Sequence, residues 1–303
     1  MAGTQVSSPS STSPRDWDRA WPAPAKLNLF LHVIGRRSDG YHLLQSVFRL
    51  IDCCDWLRFA PGATPAVRLA TPIEGIDESR ELCVRAARLL QQETGCRLGV
   101  DISIEKTIPI GGGLGGGSSD AATTLFALDQ LWGLRLGRAR LAQLALRLGA
   151  DVPFFLFGRN AFVEGIGERL RPIDLPGAWY AVLVPPVAVP TGEIFGATEL
   201  TRNTKSIKIS SFSAGFGGND LEPVVRRRYP VVAMHLDWLK AQLEGPESVP
   251  GGARMSGSGA CVFAEFSTAA RARGVVSRLP PEMRGFVARG LDRHPIEGIL
   301  DAK

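Results

Sequence analysis

Residues 25–33 read Ala-Lys-Leu-Asn-Leu-Phe-Leu-His-Val, an apolar and polar alternation that predicts a strand. The spacing sets Lys26, Asn28, Phe30 and His32 on one face and Leu27, Leu29, Leu31 and Val33 on the other, which is taken as the core face. Residues 43–57 continue as a strand or strand pair, residues 56–69 as strands broken at Pro61 and Pro65, and residues 100–106 as an alternating strand. Helical spacing appears over residues 81–94, with Leu82, Ala86, Leu89 and Leu90 on one side and Gly95 as the stop, then over 120–132 and 138–148. Further on, the pattern predicts a strand at 179–184 and a helix capped by Thr191. A polar loop follows at 201–218, then a helix opening at Asn219, a helical stretch at 231–243 and a strand after a glycine-serine turn at 251–266. A helix at 269–279, a last strand at 286–289 and a loose tail after Asp292 complete the order. Runs of strands and helices segregated in this way predict an α+β fold. We divide it into a disordered leader at 1–20, a first domain at 21–172 and a second at 173–303.

The strand at 100–106 runs straight into Gly111, Gly112, Gly113, Leu114, Gly115, Gly116 and Gly117, and the expected helix follows Ser118 and Ser119. So many glycines cost backbone entropy, and close approach of backbone N–H groups to an anion at a helix N-terminus is the simplest compensation. No lysine follows the glycines ahead of the serines, so this is not the usual phosphate loop, and no acidic residue stands about 20 residues on as a dinucleotide fingerprint needs. Lys106 at the strand end is a candidate phosphate or nucleotide contact. The second turn, with Gly257, Ser258 and Gly259, is expected to close on the first or to be a tight β-turn.

Composition narrows the class. With 303 residues, 45% apolar and 21% charged, the chain can bury one large or two moderate cores. A net charge of +5 suits small anions, but the arginines are dispersed, with no basic block beside aromatic residues, so nucleic acid is not the expected partner. Five cysteines without a Cys-x-x-Cys pair or histidine cluster disfavour a disulfide scaffold and a structural zinc site, and suggest a cytoplasmic protein. No signal-peptide core opens the chain, and no window holds 18 uninterrupted apolar residues, so no membrane partner is expected.

Asp151 stands in Gly-Ala-Asp-Val-Pro-Phe-Phe, a single carboxylate before a wholly apolar run. It is either a helix cap or an acid whose environment is set by burial and a cation, with Lys26 the natural partner. His42 next to Tyr41, in the turn Asp39-Gly40-Tyr41-His42, could read a planar polar group by stacking and hydrogen bonding.

These blocks together resemble the galactokinase, homoserine kinase, mevalonate kinase and phosphomevalonate kinase (GHMP) superfamily. They are similar in particular to its branch acting on 4-diphosphocytidyl-2-C-methyl-D-erythritol. Pro24 to Leu29 with Asp39 to His42 matches the first block, Pro109 to Thr123 the ATP-phosphate loop, Gly149 to Phe154 the aspartate segment, and Met255 to Cys261 the third block. The resemblance implies a first domain like the second domain of ribosomal protein S5, a ferredoxin-like second domain and a cleft between them. It implies ATP and Mg²⁺ as cofactors, a small-molecule substrate, and a monomer or weak homodimer. Carried over by position, Asp151 is the base and Lys26 orients and stabilises. Lys106, Pro109 and Gly111 to Ser119 face ATP, with Ser118 a candidate metal contact whose partners are unassigned. His42 bonds the cytosine edge while Tyr41 and Phe195 stack about it, Asn28 and Thr191 line the methylerythritol or diphosphate, and Gly257, Ser258 and Gly259 close the phosphate side.

Overall fold

The computed structural model describes residues 16–72, 78, 81–213, 215–243 and 251–297; residues 1–15, most of the expected leader, lie outside the described residues. Regular structure opens where the apolar pattern opens, at Trp21, although Trp17 before it already packs against the first core. The frame of the first half is an antiparallel pair, β1 (Trp21–Arg36) and β2 (His42–Gly62), flanked by β4 (Gly99–Glu105) and β5 (Ala161–Gly165). Short β3 (Val67–Leu69) lies parallel to β4, and β6 (Arg169–Pro172) extends β5. Strand β2 runs unbroken through Pro61, which still pairs in register with Val100, so the expected break there does not occur.

Helices α1 (Leu82–Thr94), α2 (Gly116–Leu131), α3 (Gly137–Leu148) and α4 (Val152–Phe157) cover one face of this sheet. Their apolar faces enclose Phe48, Leu50, Leu57, Phe59, Leu90, Leu125 and Phe154. Helix α2 is central: from Ser119 to Asp129 every residue is buried, so it packs on all sides.

In the second half, β7 (Trp179–Leu183) pairs with β9 (Val262–Phe266), which pairs with β8 (Arg254–Met255). Around them stand α5 (Thr191–Gly196), α6 (Glu222–Arg228), α7 (Pro230–Ala241) and α8 (Ala269–Val276). The final strand, β10 (Gly285–Leu291), pairs with β7 along most of its length and with β2 at Gly290 and Leu291. It joins the halves into one order, β3-β4-β2-β10-β7-β9-β8. The chain after Asp292 is not loose over its described part, because His294 is 3% exposed and Ile296 enters the first core.

Strand β1 departs from simple alternation. Asn28 pairs with Phe48 but Leu31 pairs with Ser46, an irregularity that inserts one residue into β1. After it, Phe30 joins Leu27 and Leu29 in a core shared by both halves, while Leu31 turns to the face of Lys26 and Asn28. Both faces of the strand are buried over most of its length, giving it a core face and a cleft face.

Candidate active site

The glycine run is built as closely as its composition predicts. Gly111, Gly113 and Gly115 have φ of 70°, 73° and 75°, conformations that L side chains rarely adopt. A Cβ on Gly113 would stand 2.2 Å from the Ser256 carbonyl oxygen, and one on Gly112 would stand 2.7 Å from Cys261 Sγ. The second glycine turn does close on the first: Ala260 N and Cys261 N donate to the Gly111 and Gly112 carbonyls at 3.3 and 3.0 Å. Ser256 Oγ donates to Gly113 O at 3.0 Å and accepts from Asn28 N at 3.2 Å, tying both turns to β1. Helix α2 begins at Gly116, four residues ahead of the expected start at 120, so Gly116 to Ser119 form its first turn over a chamber of about 300 Å³. Ser118 lines this chamber, but Ser119 is fully buried with its hydroxyl unpartnered among the described residues.

Lys106 lines the same chamber, held in a way the sequence did not reveal. Its Nζ donates to Asp55 Oδ2 at 2.5 Å and Asp120 Oδ2 at 2.6 Å. Burial alone would lower the pKa of the ammonium, yet the two carboxylates outweigh it and hold Lys106 firmly cationic. Asp55 Oδ1 also accepts from Thr107 N and Ile108 N at 2.6 and 2.8 Å, which fixes the chain entering the glycine run. The available signal was weak: Asp55 is one of two acids, with Asp52, in a largely apolar strand, and Asp120 follows directly on Ser119.

Across the loop lies the pair expected from sequence. Lys26 Nζ stands 3.4 Å from Asp151 Oδ2, donates to Asn28 Oδ1 at 2.5 Å, and sits 4.8 Å from the Phe48 ring centroid. The lysine side chain is 4% exposed and the carboxylate 34%, so the cation is the buried partner and the acid faces the cleft. Asp151 occupies the N-cap position of α4 but its side chain makes no capping hydrogen bond, so the carboxylate is not spent on the helix and faces the cleft with Lys26 as its ion partner. Asn28 Nδ2 donates to Ser46 Oγ at 3.0 Å, and Ser46 donates to Phe30 O at 2.5 Å, so a polar wall lies under the pair. Sequence reading missed Ser46, which sits two residues along β2 from the apolar Phe48.

The third chamber, about 550 Å³, is lined by Tyr41, His42, Thr191 and Phe195 together with Arg36, Asp39 and Ile166. The middle chamber holding Lys26 and Asp151 shares Thr191, Phe195 and Ile166 with it and shares Gly113, Gly115 and Ser118 with the glycine-run chamber. Thr191 Oγ1 and Ser258 Oγ lie 2.7 Å apart at the middle, beside Gly257. Gly259 does not line these chambers; its carbonyl and nitrogen back onto Gly113. Pro109 lines the glycine-run chamber. The expected ring sandwich is not assembled: Phe195 packs on His42 itself, centroids 5.1 Å apart and planes 30° apart, while Tyr41 is 60% exposed without a ring partner among the described residues. Arg202 Nε donates to His42 Nε2 at 3.0 Å, and the imidazole is held below its ordinary pKa by burial first and then by Arg202 and Arg36.

All five cysteines are free, and among the described residues no helix is long and apolar enough to cross a membrane.

Comparison with known proteins agrees with this geometry. Residues 81–159 match the GHMP kinases N terminal domain, and residues 201–284 match the GHMP kinases C terminal domain. The 4-diphosphocytidyl-2-C-methyl-D-erythritol kinase of Nitrosospira multiformis is 60% identical over 92% of this chain and 94% of its own length. The enzyme of that name from Thiobacillus denitrificans is 59% identical over 92% and 97%. A crystal structure of 4-(cytidine 5'-diphospho)-2C-methyl-D-erythritol kinase superposes with a TM-score of 0.77 at 34% identity, covering 90% of this chain and 99% of that one. Homoserine kinase from Cytophaga hutchinsonii, 16% identical with a TM-score of 0.63 over 95% and 98% of the two chains, shares the fold. With its glycine-loop chamber, its Lys26–Asp151 pair and these full-length relatives, the chain belongs to the GHMP kinases, and among them to the 4-diphosphocytidyl-2-C-methyl-D-erythritol kinase family.

Proposed function

We propose that this chain transfers the γ-phosphoryl group of ATP to the 2-hydroxyl of 4-diphosphocytidyl-2-C-methyl-D-erythritol, yielding the 2-phosphate and ADP. The observation that carries this reading is the order of three joined chambers, with the glycine loop at one end, the Tyr41–His42 turn at the other, and Lys26 with Asp151 between them. ATP occupies the first chamber with its triphosphate along the N–H groups from Gly113 to Ser118. The cytosine occupies the chamber of His42, and the hydroxyl reaches Asp151.

Phosphoryl transfer leaves little covalent work to the protein, so positioning and electrostatics dominate. Asp151 accepts the hydroxyl proton as oxygen attacks phosphorus in line and the bond to ADP breaks. Lys26, buried and next to both Asp151 and Asn28, orients the hydroxyl and offsets charge on the transferring group. Hard oxygen donors suited to Mg²⁺ line the phosphate chamber: the Ser118 hydroxyl and the Glu81 carboxylate, beside Asp120 Oδ1, which has no partner among the described residues. These residues would hold the ion, which supplies charge neutralisation on the phosphate oxygens.

The test is turnover by the purified protein with ATP and the cytidyl substrate, following ADP release and the 2-phosphate by phosphorus NMR. Formation of both is expected. Absence of turnover, with homoserine or mevalonate phosphorylated instead, overturns the substrate assignment.

A further inference from the structure

Against His42, which lines the third chamber, stands a residue whose chemistry the proposed reaction leaves unused. The guanidinium of Arg202 donates through Nε to His42 Nε2 at 3.0 Å, through Nη1 to Leu200 O at 3.0 Å, and through Nη2 to Phe195 O and Ala197 O at 3.0 and 2.6 Å. One side chain therefore holds the end of α5, which carries Phe195, against the turn that carries Tyr41 and His42. The protons are also decided. A guanidinium nitrogen can only donate, so His42 Nε2 must present its lone pair, and a neutral imidazole then carries its proton on Nδ1. No protein atom among the described residues takes that Nδ1.

We infer that Arg202 is a positioning residue that locks His42 in the neutral Nδ1–H tautomer, making the histidine a hydrogen-bond donor that selects a nucleobase edge carrying an acceptor. This deepens the proposed function and rests on the cytosine occupying that chamber. Cytosine offers ring and carbonyl acceptors, O2 and N3, to such a donor. Protonated imidazole would set an N–H against the N–H of Arg202, so the bond itself opposes protonation.

The charged groups facing the ring are consistent with this. Burial first, and then Arg202 and Arg36, hold the imidazole pKa down, and Asp39 is turned to Arg37 Nη2 at 2.7 Å and to Tyr41 N at 3.2 Å rather than to the ring. Removing the Arg202 cation therefore raises the His42 pKa, and acid weakens nucleobase binding by breaking the lock.

The experiment uses the full chain labelled with ¹⁵N histidine, in which only His32, His42, His235 and His294 report, with the His42→Gln spectrum providing the assignment. Long-range proton–nitrogen correlation without ligand is expected to show His42 Nδ1 protonated and Nε2 bare, the reverse of the tautomer that free histidine favours in water. A protonated Nε2 overturns the lock, and this arm requires no change to Arg202. In Arg202→Lys, which keeps the charge but loses the fixed fork, the tautomers are expected to mix. KM for the cytidyl substrate should rise about tenfold, the scale of one hydrogen bond, with kcat and KM for ATP within twofold. In Arg202→Met, the acid-side rise of that KM should move to higher pH, a shift that a purely structural role would not cause. Unchanged KM and pH profile in both variants overturn the inference. If His42→Ala leaves KM unchanged while the wild-type tautomer is as expected, the cytosine placement is overturned instead.

Discussion

Asp151 and Lys26 have different environments and so different expected losses. Asp151 is cleft-facing and makes no capping bond, so Asp151→Asn should leave the fold intact and lower kcat by roughly a thousandfold, within the span of general-base contributions, with KM for both substrates changing little. Steady-state kinetics with a thermal-unfolding control measures this, and near-full activity would remove Asp151 from the base role. Lys26→Met removes a buried cation that bonds Asn28 and faces Asp151. Its loss in kcat should overlap that of Asp151→Asn, so the double variant falls well short of the product of the two, as expected for groups that act as a unit. Lys26 could be named as the candidate partner of Asp151 because Asp151 is a single acid before an apolar helix and Lys26 a cation on the alternating first strand, but their proximity is a contact that only the fold supplies. The packing of Phe195 on His42 was not legible, because ring placement depends on where α5 lies relative to a turn about 150 residues away.

At the scale of elements, the glycine loop is set by its neighbours as well as by its own residues. Gly113→Ala places a methyl group 2.2 Å from the Ser256 carbonyl at a φ of 73°, so it should destabilise the protein by more than about 2 kcal/mol and raise KM for ATP. Gly117→Ala, whose added Cβ meets nothing nearer than 3.6 Å in the first turn of α2, should be neutral or raise stability by up to about 1 kcal/mol. Thermal unfolding of the two variants side by side checks the contrast. Asp55→Asn leaves Lys106 with the Asp120 carboxylate and weakens the clasp from the other side, and should cost about 1–3 kcal/mol in urea unfolding while loosening the entry to the loop. Sequence reading placed Lys106 by the nucleotide and identified the glycines as a close-approach loop. It could not find Asp55 or Asp120, because a carboxylate 51 or 14 residues away declares itself only when β2 and α2 meet at the end of β4. The inserted residue in β1 was equally hidden: local alternation cannot register a bulge that depends on the partner strand.

Across the whole molecule, the segment after β10 ties the chain end back to the first half. His294, 3% exposed, accepts from Ile296 N through Nδ1 at 3.2 Å, and its pKa is lowered to about 3, chiefly by burial and further by Arg138. A histidine lowered in the folded state binds its proton first in the unfolded chain. Its contribution is therefore complete above pH about 6.5 and lost as pH falls from there toward 3. Stability should fall by up to several kcal/mol over that window, at about 1.4 kcal/mol per pH unit at most. His294→Gln should flatten the decline, which urea titrations at stepped pH will measure; an unchanged slope would show that another group governs acid unfolding. Ile296→Ala should cost about 2–4 kcal/mol through the first core, although the residue is only two beyond His294.

By itself the sequence determined the α+β class, most strands and helices of both halves and the glycine run as a close-approach loop, and it offered Lys26, Asp151, Tyr41 and His42 as candidates whose roles came from the family resemblance. These are local properties: period, glycine content and a residue out of keeping with its segment, each readable within about ten positions. Tertiary structure decided how the chambers join, that β10 stitches the two halves, that Lys106 is clasped by Asp55 and Asp120, and that Arg202 donates to His42 Nε2. Each is a contact between segments distant in the chain, and such contacts exist only once the cores have packed and the strands have taken their register.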